Sequence, residues 1–349
     1  ESYKVNDSIL LTGTAKAFAG SNITKAKVSY AVSRVVQYPE WYYWSHPYIR
    51  SSAQEIAHGE TQTDEDGKFE IKFKAIPDND IPEKDLPIFT YKVTLDVTDI
   101  NVETHGASTM VSVGYHSLLA KIKVANKLDK NKKDHSLEIS TTNLNGQKVS
   151  VKGTLKMYKL KCPDKVLRER PWKAPEFSSF TKEEFNVLFP HDSYSNEENP
   201  ENWKKGTLVW QADFNTEKID KIVLDPIESW ESGRYVIELE SKDSYGKSVK
   251  GVVQTTIFSK KDKKLADNEL FDIKTDKESY TIGDIVNFTL ASTAKDLQVT
   301  LFIEKDKKIK RTLIVSLSNN SKSISIPIEK GDLGGFVINY SFSAFNGFV

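Results

Sequence analysis

Apolar and polar residues alternate along most of this chain, and helical periodicity is nearly absent. Ile9, Leu11 and Gly13 alternate with Leu10, Thr12 and Thr14, and a second run from Ala26 to Val36 carries Val28, Tyr30, Val32 and Val36. Phe69, Ile71 and Phe73 alternate after Asp66-Gly67, and Phe89, Tyr91, Val93, Leu95 and Val97 follow. Period-two patterning of this kind predicts half-buried strands. Further strands are expected at Leu119–Ala125, His135–Thr142, Gln147–Leu160, Thr207–Phe214, Lys218–Leu224, Gly233–Ser241 and Lys250–Phe258. A last set falls at Leu270–Ile273, Ile285–Ala291, Leu297–Lys305, Lys310–Leu317, Ser323–Ile328 and Gly335–Phe342.

Two short patterns recur. Glu1, Ser2, Tyr3 and Asp7 align with Glu278, Ser279, Tyr280 and Asp284, so a Tyr-x-x-x-Asp turn leads twice into an apolar strand. The strand Gly233–Leu239 with Asp243 and Gly246 after it aligns with Tyr91–Leu95 and Asp99, and with Gly334–Tyr340 and Gly347. A repeat protein follows. Three units are expected, at 1–115, 116–262 and 263–349, each an antiparallel β-sandwich of about seven strands. The fold class is therefore all-β, tandem antiparallel β-sandwiches. The first unit reads as missing its first strand and the third as truncated in its last. The exception to the β pattern is an insertion at 161–205, where Thr181-Lys-Glu-Glu184 forms a capping-box signature before Phe185, Leu188 and Phe189. One short helix ending at Pro190 is expected there.

Composition narrows the function classes. Lys plus Arg and Asp plus Glu are equal at 49 each, so no net field draws the chain to nucleic acid. The lysine runs Lys121–Lys133 and Lys260–Lys264 are interleaved with Asp and read as solvated faces or linkers. No run of about 18 apolar residues is present, so no direct membrane insertion by this segment is expected. Cys162 is the only cysteine, which excludes an intrachain disulfide.

Candidate chemistry is sparse. Asp64, Asp66 and Gly67 resemble the start of a calcium loop, but an EF-hand needs oxygen ligands where Lys68 and Ala75 stand, so a bulged or type I′ turn is expected. His46, His58, His105, His116, His135 and His191 show no zinc-ligand spacing, and no metal or cofactor is expected. The carboxylates of Asn196–Glu201 read as an acidic loop rather than a glycosidase pair. No nucleophile-elbow or phosphate-loop motif occurs, and no enzyme is expected. The most unusual stretch is Tyr38-Pro-Glu-Trp-Tyr-Tyr-Trp-Ser-His-Pro-Tyr48. Tyr38, Trp41, Tyr42, Tyr43, Trp44 and Tyr48 are the candidate partner-binding residues, for a protein or a glycan, against the plainer reading that they pack on their own or the neighbouring domain.

The chain resembles the macroglobulin (MG) domains of bacterial alpha-2-macroglobulin-like proteins of Bacteroides type. The resemblance is carried by Thr12–Ser21, Ala26–Tyr30, Gln54–Gly59, Thr63–Phe69, Glu184–Pro190 and Tyr280–Asp284. It implies a non-catalytic scaffold segment of a protease-trapping protein, periplasmic or cell-surface and lipid-anchored through a region outside this sequence. Its implied partners are neighbouring MG domains and, through the full-length protein, a target protease. Family members carry a Cys-x-x-Gln-type thioester; Cys162 stands in Lys-Cys-Pro-Asp-Lys and cannot form one. The alternatives are an adhesin or glycan-binding array using residues 38–48, and an accessory segment of a hydrolase.

Overall fold

In the computed structural model, residues 3–17, 20–39, 42, 52–100, 102–168, 174–175, 177–259, 261–345 and 347–348 are described. The first unit contains β1 (Ser8–Thr14), β2 (Lys27–Gln37), β3 (Gln54–Gln62), β4 (Lys68–Lys74), β5 (Ile88–Thr98) and β6 (Thr104–Gly114). One sheet runs β3-β2-β5-β6 and faces the two-stranded sheet β1-β4. The alternation has a direct cause: Phe69, Ile71 and Phe73 point inward while Lys68, Glu70, Lys72 and Lys74 stay in water. They meet Val28, Val32, Phe89, Tyr91 and Val93 of the opposite sheet in one core.

The second unit contains β7 (Leu119–Lys123), β8 (Lys127–Asp129), β9 (Ser136–Thr142), β10 (Lys152–Lys161), β11 (Lys204–Asn215), β12 (Lys221–Val223), β13 (Gly233–Lys242) and β14 (Ser248–Phe258). Its sheets run β12-β9-β7 and β11-β10-β13-β14-β8. Strand β8 corrects the sequence reading of Lys121–Lys133 as a solvated face: it pairs parallel with β14, and Leu128 is buried in the core. Strand β3 was likewise hidden, because Gln54–Gln62 is mostly polar and none of its residues is fully buried.

The third unit contains β15 (Asp272–Thr275), β16 (Ile285–Ser292), β17 (Leu297–Lys305), β18 (Lys308–Leu317), β19 (Asn320–Pro327), β20 (Val337–Ala344) and β21 (Gly347–Phe348). Its sheets are β15-β16-β19 and β18-β17-β20-β21. Each unit closes its own core between two sheets, so the fold is a series of antiparallel β-sandwiches. A fully buried Leu, Ile, Val or Phe side chain contributes about 1.5–3 kcal/mol. Cores of this size offset chain ordering without a disulfide, and Cys162 is free.

Among its described residues the insertion holds one α-helix, α1 (Lys182–Leu188), with both capping-box bonds made: Glu184 N–H donates to Thr181 Oγ1 and Thr181 N–H to Glu184 Oε2. None of its residues is buried. The helix decorates the sandwich and does not enter a core.

The repeated sequence patterns are repeated hydrogen bonds. Lys4 N–H donates to Asp7 Oδ2 at 2.8 Å, and Thr281 N–H donates to Asp284 Oδ2 at 3.0 Å. Asn6 and Gly283 then take the same left-handed conformation, φ 70° and 91°. Their N–H groups donate to the carbonyls of Ala75 and Ile328, which return bonds to Asp7 and Asp284. The recurring carboxylate thus caps the turn that starts the strand β1 or β16.

The other pattern is a five-residue turn starting on Asp or Asn. In Asp64–Lys68, Asp99–Glu103, Asn143–Gln147 and Asp243–Lys247, the first residue's side chain accepts from the fifth residue's N–H. The fourth residue is left-handed each time, at Gly67, Val102, Gly146 and Gly246. A type I turn followed by a residue with positive φ has this geometry. Asp64 is accordingly a turn cap. The turn Asp64–Lys68 also does not close a paired hairpin, since β3 and β4 part into different sheets.

Candidate functional site at the domain joints

Of the aromatic stretch, Tyr38 and Tyr42 are described. Their rings stack at a centroid distance of 4.4 Å and 10°, and Tyr42 is buried. Burial pushes the Tyr42 hydroxyl pKa up, and the Asp85 carboxylate adds to it. Trp41, Tyr43, Trp44 and Tyr48 lie outside the described residues. Just before this stretch Arg34 is buried, donating to the carbonyls of Ile76 and Pro77 and to the side chains of Gln54 and Asp78. A guanidinium spends its fork of donors here on fastening the loop after β4 to the end of β2.

A second group of polar contacts lies where the domains meet. At the first joint, two turns of the second domain face the first domain. Asn145 and Ser112 exchange two hydrogen bonds, of 2.8 and 3.0 Å. Ser117 N–H donates to Asp243 Oδ2 at 2.6 Å, and the hydroxyls of Ser117 and Ser244 lie 2.9 Å apart. Lys247 reaches Glu83, and the Lys4 ammonium sits 4.4 Å from the Tyr245 ring centroid. In the middle of this joint His116 is wholly buried. Burial pushes its pKa down to about 4, against the pull of the Asp243 carboxylate.

The second joint is built differently. Asp267, with φ 56°, accepts from Arg234 N–H at 2.6 Å and pairs with the Lys159 ammonium. Asn268 donates to the Pro163 carbonyl at 2.8 Å. His191 of the insertion stacks on Phe345 at 3.5 Å and 8°, and Arg168 joins the Phe345 carbonyl to Asp192. Beside it a groove of about 350 Å³ is lined by Lys127, Arg234, Glu269, Asp272 and Lys274, charges of both signs. Cys162 lies near Asp267 and Lys159; burial pushes its thiol pKa up, the opposite of an activated thiolate.

Glu197 of the acidic segment is not part of a carboxylate pair. Burial pushes its pKa up, but hydrogen bonds from Ser195 N–H, Ser193 Oγ and the Lys182 ammonium bring it down to about 2. It ties the insertion together. Among the described residues no group of three or more His, Cys, Asp or Glu is arranged to hold a metal.

Sequence reasoning singled out Asp243 as a repeat marker but missed Ser117, His116 and Asp267 as joint residues. Their partners are distant in the chain, and no local pattern announces them.

No protein-family model and no curated protein sequence matches the chain. Solved structures that align with it include alpha-2-macroglobulin of E. coli in its native conformation, at 10% identity and TM-score 0.38, covering 98% of this chain and 21% of that one. A Salmonella alpha-2-macroglobulin mutant aligns at 10% identity and TM-score 0.39, covering 94% and 20%. A tetra-tandem repeat from the extending region of a large adhesion protein aligns at 11% identity and TM-score 0.23, covering 98% and 79%. The chain thus spans about a fifth of the alpha-2-macroglobulins it aligns with. At these scores the likeness carries no argument, and the fold rests on the sheets and cores described above.

Proposed function

We propose that the chain is a non-catalytic scaffold segment of an alpha-2-macroglobulin-like protein. In this reading its work is mechanical: it holds successive MG domains at set angles and passes on a rearrangement made elsewhere in the parent protein. The observation that carries the scaffold reading is the construction of the two joints. Each is fastened by side chains bonded to backbone groups across the boundary, such as Asn145 to Ser112 and Asp267 to Arg234. Directional bonds of this kind fix orientation, whereas a plain linker leaves neighbouring domains free to swivel. The assignment to protease trapping comes from the sequence resemblance alone, as do a periplasmic or cell-surface location and a target protease as eventual partner.

The test is to mix the isolated chain with a panel of endopeptidases. The expected result is neither inhibition nor capture, with small-angle scattering showing one extended, well-defined particle. A stoichiometric or covalent complex with a protease would overturn the scaffold reading. Scattering that fits only freely swivelling domains would overturn the mechanical part of it.

A further inference from the structure

We propose that the joint between the first and second domains is a proton-operated hinge, closed while the His116 ring is neutral and released when the ring takes up a proton. His116 lies in the short connection between β6 and β7 and has no solvent exposure. Among the described residues neither ring nitrogen has a hydrogen-bond partner. The wall around it is closed: a Cβ built on Gly114 would fall 3.0 Å from the Leu144 side chain and 3.3 Å from His116 Nδ1. An imidazolium carries two N–H donors and a charge, and burying both without partners is strongly unfavourable.

The one carboxylate that attracts the proton is Asp243. Its oxygens are already engaged, Oδ2 by Ser117 N–H and Oδ1 by the amides of Tyr245 and Lys247. Lys4, Asp7 and Glu83 of the first domain, with Lys247 and Tyr245 of the second, are the other charged and titratable groups at the joint among the described residues. Asp243 therefore cannot turn to the ring without giving up bonds that hold its own turn and the connecting segment on which His116 lies. Parting the domains is the way for a charged ring to reach water.

The direction follows from linkage. A histidine held below its ordinary 6.5, here at about 4, favours the closed joint fully above 6.5 and loses that preference as pH falls toward 4. At about pH 5 the balance shifts toward the open form by about 30-fold for one such proton. The inference rests on the joint alone and is independent of the macroglobulin reading.

The experiment uses the whole chain with Cys162→Ser and one spin label in each domain, at Lys72→Cys and Lys221→Cys, both exposed. Distances are read from about pH 7.5 to pH 4.5. A narrow distribution that broadens as pH falls is expected, and His116→Phe, apolar and of similar size, should hold the narrow distribution at pH 5. Broadening of His116→Phe with the same midpoint, or no change in the parent chain down to pH 4.5, overturns the proposal. Should His116→Phe fail to fold, the imidazole NMR signals of His116 in the unsubstituted chain decide. A ring that stays neutral until the interdomain distance changes supports the hinge; titration near 6.5 with the joint unmoved overturns it.

Discussion

Asp243 binds the segment that connects the first two domains and its own turn at once: Oδ2 accepts from Ser117 N–H at 2.6 Å and Oδ1 from Lys247 N–H at 2.8 Å. One buried carboxylate sets the shape of a turn and fastens the connecting segment to it. Asn143 performs the same turn-capping with an amide, which separates the two roles experimentally. Asp243→Asn should keep the turn and lose only the bond to Ser117, because an amide NH2 cannot accept from that N–H, at about 1–2 kcal/mol, while Asp243→Ala loses both and should cost about 2–4 kcal/mol. Urea denaturation gives the totals, and hydrogen exchange at Ser117 reports the joint.

Arg34 should be irreplaceable in the first domain. Its buried guanidinium satisfies two carbonyls and pairs with Asp78. Arg34→Met keeps the stem but strands those acceptors, with an expected loss of about 3 kcal/mol. Arg34→Lys should rescue little, because an ammonium cannot reproduce the fork. The thermal transition of the first domain is the readout.

Glu197 should make the insertion acid-sensitive. Its carboxylate pKa is depressed to about 2, so its contribution is complete above the ordinary glutamate value and disappears as pH falls toward 2. With the side chain about 31% exposed, solvent screening reduces this to about 1–2 kcal/mol. Glu197→Gln should destabilise the insertion near neutral pH and change little near pH 2, as followed by exchange at Ser195 and Glu197 amides.

Thr181→Ala should melt α1 without weakening the sandwich. The capping box is worth about 1 kcal/mol, and no helix residue is buried. Faster exchange at Glu184, with an unchanged unfolding midpoint for the second domain, is the expected pattern.

Strands, turns and the helix were legible because their causes are local. The alternation of Phe69, Ile71 and Phe73 with charged neighbours, the Thr181–Glu184 pair, and the recurring Asp of each turn all act within a few residues. Strand β3 was not legible as a strand, since a polar segment lying against one edge of a sheet shows no apolar period. The joints were legible least. Ser117 meets Asp243, and Lys159 meets Asp267, only after separate sheets have formed and docked. His116 read as one unremarked histidine among six until the fold enclosed it. The rings of Tyr38 and Tyr42 pack on each other, a contact that the composition of the stretch alone does not specify.

The three residues of β8 have a consequence for how such a chain survives folding. Sandwiches strung together hold similar strands at very high mutual concentration, and an open sheet edge on one invites pairing by another. By laying Lys127–Asp129 alongside Thr256–Phe258 in parallel, the second domain occupies part of the free edge of β14 with its own chain. The short strand serves as a guard against strand exchange between neighbours, a role for which three residues and one buried leucine suffice.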